Sequence, residues 1–128
     1  MIPQELISDM ADIKESYAYK MVEENNKIYI VFQKFPLPVG VYNQDSTDLL
    51  IFTTKLYPNS NFDMFWTEES LTLKNGQIPK SAEVIEIHLG KRWRRFSYHP
   101  YNNRPWNPAQ DNIATYLEYV KQRLKKGD

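Results

Sequence analysis

The residues best equipped for chemistry stand together in Arg92-Trp93-Arg94-Arg95-Phe96-Ser97-Tyr98-His99-Pro100, with Asn102, Asn103 and Trp106-Asn107-Pro108 just beyond. Ser97 and His99 are two apart, and in an extended segment such side chains project to the same side. An imidazole titrates near neutrality and can take a hydroxyl proton without a large pKa shift. Arg92, Arg94 and Arg95 add positive charge suited to an anionic partner. The run does not read as a helix, and a helix signal begins directly after it. It is therefore expected on an irregular connection between ordered elements, where sites usually lie. Plainer readings stand beside this one. A lone serine is most often a solvated hydroxyl or a cap, and a lone histidine a surface hydrogen-bonding group. Trp93, Phe96 and Trp106 fit packing better than ligand contact.

The chain that must position these groups is 128 residues long, which suits one domain spanning 1–128 with a real core. It contains no cysteine, which removes disulfides, thiolate metal sites and every cysteine nucleophile. His88 and His99 are the only histidines, and neither belongs to an HExxH pattern or an acidic cluster. No glycine-rich loop is present to cradle a phosphate, so no cofactor is expected. No apolar run reaches membrane-spanning length and the N-terminus lacks a secretory pattern, so the expected location is the cytoplasm.

Formal net charge is zero but unevenly placed. Residues 1–66 hold five lysines against nine acids, whereas residues 67–128 hold eleven lysines and arginines against seven acids. No acid lies between Ile87 and Gln110, where Lys91, Arg92, Arg94, Arg95 and Arg104 all fall. A local positive field is expected there; a solvated basic face is the bland alternative.

Helical spacing of Leu6, Met10, Ile13 and Tyr17 predicts a helix over 3–17. Two strands follow between Tyr17 and Phe35, turning at Glu24-Asn25-Asn26-Lys27 because asparagine tolerates positive φ. Phe35-Pro36-Leu37-Pro38 breaks the pattern. Thr47–Thr54 and Phe62–Thr67 read as a third and a fourth strand around the Tyr57-Pro58-Asn59 turn, completing an antiparallel meander. Residues 68–80 read as a loop with a turn at Asn75-Gly76. Ser81–Leu89 is expected as a short helix capped by Ser81 and ended by Gly90. The last helix is expected to open at Asn107 as N-cap, with Pro108 in its first position and Gln110 closing a capping box. Its apolar stripe is Ile113, Tyr116, Leu117, Val120 and Leu124. The expected fold class is α+β, with helices against one four-stranded antiparallel sheet.

That order resembles the ubiquitin-conjugating-enzyme (UBC) superfamily. The run Asp48-Leu49-Leu50-Ile51-Phe52, then Tyr57-Pro58-Asn59, then Asp63-Met64-Phe65-Trp66 looks like that fold's third strand, its Tyr-Pro turn and its fourth strand. Trp106-x-Pro108 looks like the tryptophan-x-proline after the active-site loop. FPLPVGVYN, STDLLI, YPN, DMFW and RWRRFSYHP together resemble a bacterial branch found beside ubiquitin-like, activating-enzyme and deubiquitinase-like genes. The resemblance implies a ubiquitin-like protein, an activating enzyme and a target protein as partners, and a setting in antiphage defence. The family's loop carries a cysteine that holds the ubiquitin-like protein as a thioester; this chain has none.

Three functions remain open. In the first, Ser97 accepts the acyl group as an oxyester, His99 is the base, Asn102 or Asn103 donates to the oxyanion, and Arg92, Arg94 and Arg95 steer the partner. Trp66, Trp106 and Pro108 would then support the loop. In the second, the chain is an inactive adaptor that docks a partner on its sheet and on the loop bearing Phe35 and Leu37. In the third, arginines interleaved with aromatic rings bind single-stranded nucleic acid. The zero net charge and the acidic first half argue against the third.

Overall fold

The computed structural model describes residues 1–128. Helix α1 (Gln4–Ala11) buries Leu6 and Met10, four residues apart on one face. It ends earlier than the apolar spacing implies. Asp12 to Ser16 form turns, and Tyr17 leaves the axis to stack on Phe35 at 5.1 Å and meet the edge of Phe32 at 5.6 Å. Ring stacking on the sheet here outweighs continued helix.

Strands β1 (Ala18–Glu24) and β2 (Lys27–Pro36) form the expected hairpin. Asn25 and Asn26, at φ 53° and 64°, make its two-residue left-handed loop. β3 (Ser46–Thr53) pairs with β2, placing Ile30 opposite Ile51. β4 (Phe65–Glu68) starts three residues later than expected because Met64 takes φ 61° and bends the chain into it. Leu73 and Gly76 close the expected turn at Asn75-Gly76.

The largest departure follows. Ser81–Leu89 is not a helix; Val84–His88 is strand β5, and Lys91–Phe96, expected to be irregular, is strand β6. Ser81 sits at φ 61°, which an N-cap does not adopt, and Leu89 and Gly90 are both left-handed, giving a second two-residue hairpin. The sheet therefore has six strands rather than four, in the order β1-β2-β3-β4-β6-β5. β6 lies inside it, between β4 and β5.

Helix α2 (Ile113–Lys126) buries the whole predicted stripe. It opens at Asn112, not Asn107: Asn112 Oδ1 accepts from the Thr115 amide while Thr115 Oγ1 accepts from the Asn112 amide. Residues 107–111 form a separate turn, in which Asn107 Oδ1 accepts from the Ala109 amide. Gln110 does not close a capping box, and Pro108 lies exposed outside the helix. The buried Asp111 carboxylate fixes this turn by accepting from the Asn107 amide at 2.8 Å and from the Arg104 guanidinium at 2.8 and 3.2 Å.

Both helices cover one face of the sheet, where Leu6, Met10, Ile30, Phe32, Phe65, Phe96, Tyr116 and Val120 share the main core. The other face carries a smaller cluster of Tyr29, Val31, Leu50, Trp66 and Trp93. Tyr57 ties the helices to the turn between β3 and β4. Its hydroxyl donates to Asp9 at 2.7 Å and accepts from the Ile113 amide, one of the free donors at the start of α2.

Tyr57→Phe should lower the unfolding free energy by about 1–3 kcal/mol, since it leaves the buried Ile113 amide without an acceptor. Urea unfolding reads this directly; no change in midpoint would show that the bond is redundant. Asp111 predicts an acid limb. Arg104, opposed in part by burial, holds its carboxyl below the ordinary range. The resulting stability is present above the unfolded-state value of about 4 and is lost as pH falls through the lower folded value. Asp111→Asn should be less stable at pH 7 yet decline less steeply below about pH 4. Parallel acid limbs in urea midpoints would refute the assignment.

Candidate functional site

Alternation along β6 splits the basic run between the two faces of the sheet. Arg92 and Arg94 project to the side of Phe96, and Trp93 and Arg95 to the other. Each then meets a partner from elsewhere in the chain. Arg92 donates to Glu69 at 2.7 and 2.9 Å. Arg95 donates to Glu86 at 2.8 Å, and Lys91 lies 3.5 Å from Asp48. Arg94 is buried, and its guanidinium donates to the carbonyls of Ala82 and Glu69 at 2.7 and 2.9 Å. Burial lowers the pKa of Arg94. Three of the four cations of this run are thus met by acids from elsewhere, and the buried Arg94 is a structural tie held by carbonyls rather than a steering charge. Trp93 and Phe96 are buried on opposite faces, so no interleaved stacking surface for nucleic acid exists on this strand.

On the outer face a polar network closes over the tryptophans. Glu86 Oε1 accepts from the Trp66 indole at 2.9 Å and lies 3.0 Å from His88 Nε2. His88 Nδ1 lies 3.1 Å from the Tyr29 hydroxyl. Desolvation pushes the Glu86 carboxyl up, but bonds from His88, Trp66 and Arg95 outweigh it and leave the pKa lowered. Trp66 therefore anchors the β5–β6 hairpin on the face away from the core. It does not buttress the loop after β6.

That loop begins at Ser97, whose amide donates to the Ser81 carbonyl at 3.0 Å. The Met64 amide donates to the Tyr98 carbonyl at 3.0 Å, and the Tyr116 hydroxyl donates to the Met64 carbonyl. Burial raises the Tyr116 pKa well above its ordinary value, which keeps the hydroxyl a donor. This clasp brings Asp63 beside His99. His99 Nδ1 stands 3.0 and 2.9 Å from the two Asp63 carboxylate oxygens, and about two fifths of each side chain is open to solvent.

Beyond His99, a short 3-10 turn (Pro100–Asn102) buries Tyr101 among Trp106, Tyr116 and Tyr119 at centroid distances of 5.1, 6.1 and 5.5 Å. Trp106 donates its indole N–H to the Pro58 carbonyl at 2.7 Å, which ties this segment to the turn between β3 and β4. Arg104 adds a bond to the Tyr119 hydroxyl at 2.7 Å. Asn102 and Asn103 are exposed, and their side-chain amides bond to nothing in the protein.

Ser97 and His99 do not pair. The extended strand ends at Phe96, and His99 (φ −127°, ψ 72°) precedes a proline, so same-side projection no longer applies. Ser97 faces a groove with Ser81, Arg123 and Lys126, which His99 does not line. Phe35 and Leu37 are buried core residues, although they also line an apolar groove of about 360 Å³ against Lys121, Leu124 and Lys125 of α2. The partner that sequence reading missed is Asp63, 36 residues from His99. No local pattern announces that pair; only the packing of Asp63-Met64 against Tyr98 creates it.

The helix–sheet–helix arrangement is that expected of a UBC-like fold, with a longer sheet. No curated protein and no solved structure matches the chain. No helix is long and apolar enough to cross a membrane. The model for Prokaryotic E2 family E matches residues 8–127, nearly the whole length, and the chain belongs to that family of E2-like proteins.

Proposed function

We propose that this chain acts in a bacterial ubiquitin-like conjugation pathway, in the cytoplasm and as one domain, with Asp63 and His99 as the proton-accepting pair. The observation that carries the reading is the contact between His99 Nδ1 and the Asp63 carboxylate at 2.9 Å. A carboxylate can only accept, so neutral His99 holds its proton on Nδ1 and offers the Nε2 lone pair outward. A carboxylate that orients and supports an imidazole in this way is the recurring arrangement of general bases. The energised substrate is an acyl group held as a thioester on an activating enzyme, as the family implies. An attacking hydroxyl or amine gives its proton to Nε2 as its oxygen or nitrogen bonds to the acyl carbon. The tetrahedral centre then expels the thiolate, which takes the proton back from the imidazolium.

The attacker within this chain would be Ser97, which gives an oxyester that a target amine later cleaves. Its support is position: it opens the loop after β6, and its hydroxyl bonds to nothing in the protein. Asn102 and Asn103 have unengaged amides and stand as the oxyanion donors of this route. The separation of Ser97 from His99 favours a second reading, in which the chain holds its partners without forming a covalent adduct. Arg92 and Arg95 would then meet an acidic partner only by exchanging their bonds to Glu69 and Glu86. Antiphage defence is the biological setting that we attach to either route.

Incubation with the activating enzyme, the ubiquitin-like protein and ATP, followed by intact mass, separates these readings. A reductant-stable, base-labile adduct that vanishes in Ser97→Ala supports the oxyester, and His99→Ala should slow its formation by about 100-fold or more. With no adduct, faster release of the thioester to a free amine, lost in His99→Ala, supports the pair without Ser97. Co-elution alone supports the adaptor. A full transfer rate in His99→Ala refutes the base.

A further inference from the structure

A groove of about 350 Å³ lies between the turn before β5, the start of the loop after β6 and the last turn of α2. Lys80, Arg123 and Lys126 line it, and Asp128 is its one acid. The Arg123 side chain is nine-tenths buried, with its guanidinium over the Phe96 ring at 5.3 Å. Its Nη2 donates to the main-chain oxygens of Lys80 and Asp128 at 2.8 and 3.0 Å. Its Nη1 is fully buried and has no hydrogen-bond partner. The nearest acid oxygen, on Asp128, stands 3.7 Å away, beyond bonding distance, and Lys126 Nζ is 3.8 Å from the other. The hydroxyls of Ser81 and Ser97 line the same groove and bond to nothing in the protein. Ser81 also holds φ 61°, a conformation that costs a non-glycine residue energy and that clusters at ligand sites.

These features share one explanation. A buried guanidinium N–H without an acceptor is unfavourable. Lys80, Arg123 and Lys126 outnumber the side-chain and main-chain carboxylates of Asp128, so the groove stays net positive, and two free hydroxyls add donors. We propose that the groove binds an oxyanion, a carboxylate or a phosphate, held by Arg123 Nη1, Lys126 and the hydroxyls of Ser81 and Ser97. The Asp128 carboxylate is its loosely seated internal occupant, which the ligand displaces. This site does not depend on the proton-accepting role of His99, which lies outside the groove.

The test is amide and guanidinium NMR on the full chain. It is titrated with inorganic phosphate and, separately, with an uncharged short peptide as its free acid and as its C-terminal amide. Saturable shifts at Ser81, Ser97 and Arg123 are expected. Asp128→Asn, which removes the competing side-chain charge, should tighten binding about five-fold, and Lys126→Gln should weaken it by a similar factor. Lys126 is exposed, so its variant keeps the test valid if replacing Arg123 perturbs the Phe96 packing. Response to phosphate identifies a phosphate-bearing ligand. Response to the free acid but not to the amide identifies a peptide carboxylate. Either supports the site. Shifts that fail to saturate, that sodium chloride reproduces at equal ionic strength, or that ignore both variants would overturn it.

Discussion

The antiparallel pairing of β4 with β6 is the constraint on which this molecule turns. It places Phe65 opposite Phe96, whose rings stack at 4.6 Å, and Trp66 opposite Arg95. That register decides which side of the sheet each β6 residue faces, because a shift of one residue would exchange every inward and outward group. Phe96 and Arg94 turn toward the helices, where one completes the core and the other ties the chain to Ala82 and Glu69. Trp93 and Arg95 turn outward and build the second cluster with Trp66 and Glu86. The loop after Phe96 begins at the end of this ladder, so the same register aims Ser97 and His99.

Much of the architecture was legible in the sequence because it rests on short-range rules. The asparagine pair of the first hairpin, the β-branched run of β3 and the apolar stripe of α2 all form as their spacing implies. Where reading failed, a tertiary contact overrode a local signal. Ser81 and the apolar spacing after it mimic a capped helix, but Val84–His88 has a neighbouring strand to pair with and becomes β5. Asn107-Pro108 mimics a helix start, but Asp111 folds back onto the Asn107 amide and Arg104 and delays the helix to Ile113.

The candidate site was legible in its residue types and not in its partnerships. The stretch that attracts attention does carry the histidine, yet Arg92, Arg95 and the neighbouring Lys91 meet acids the linear order hides, Glu69, Glu86 and Asp48 on other strands and loops, while Arg94 bonds to main-chain carbonyls. A charge count along a sequence assumes that neighbours in the chain are neighbours in space. In a strand inside a sheet that assumption fails by construction, since successive side chains part to opposite faces and meet charges from elsewhere.

The distance in sequence between Asp63 and His99 has a consequence for how the protein comes to life. Neither partner holds the other until residues 36 apart are brought together, which requires the whole span of β4, β5 and β6 to be in register. Helix α2 adds the last clasp, through the Tyr116 hydroxyl on the Met64 carbonyl. A nascent or partly unravelled chain therefore holds a free imidazole and a free carboxylate rather than a loosened pair. The pair thus exists only in the closed sheet, as a product of tertiary structure rather than of any local segment.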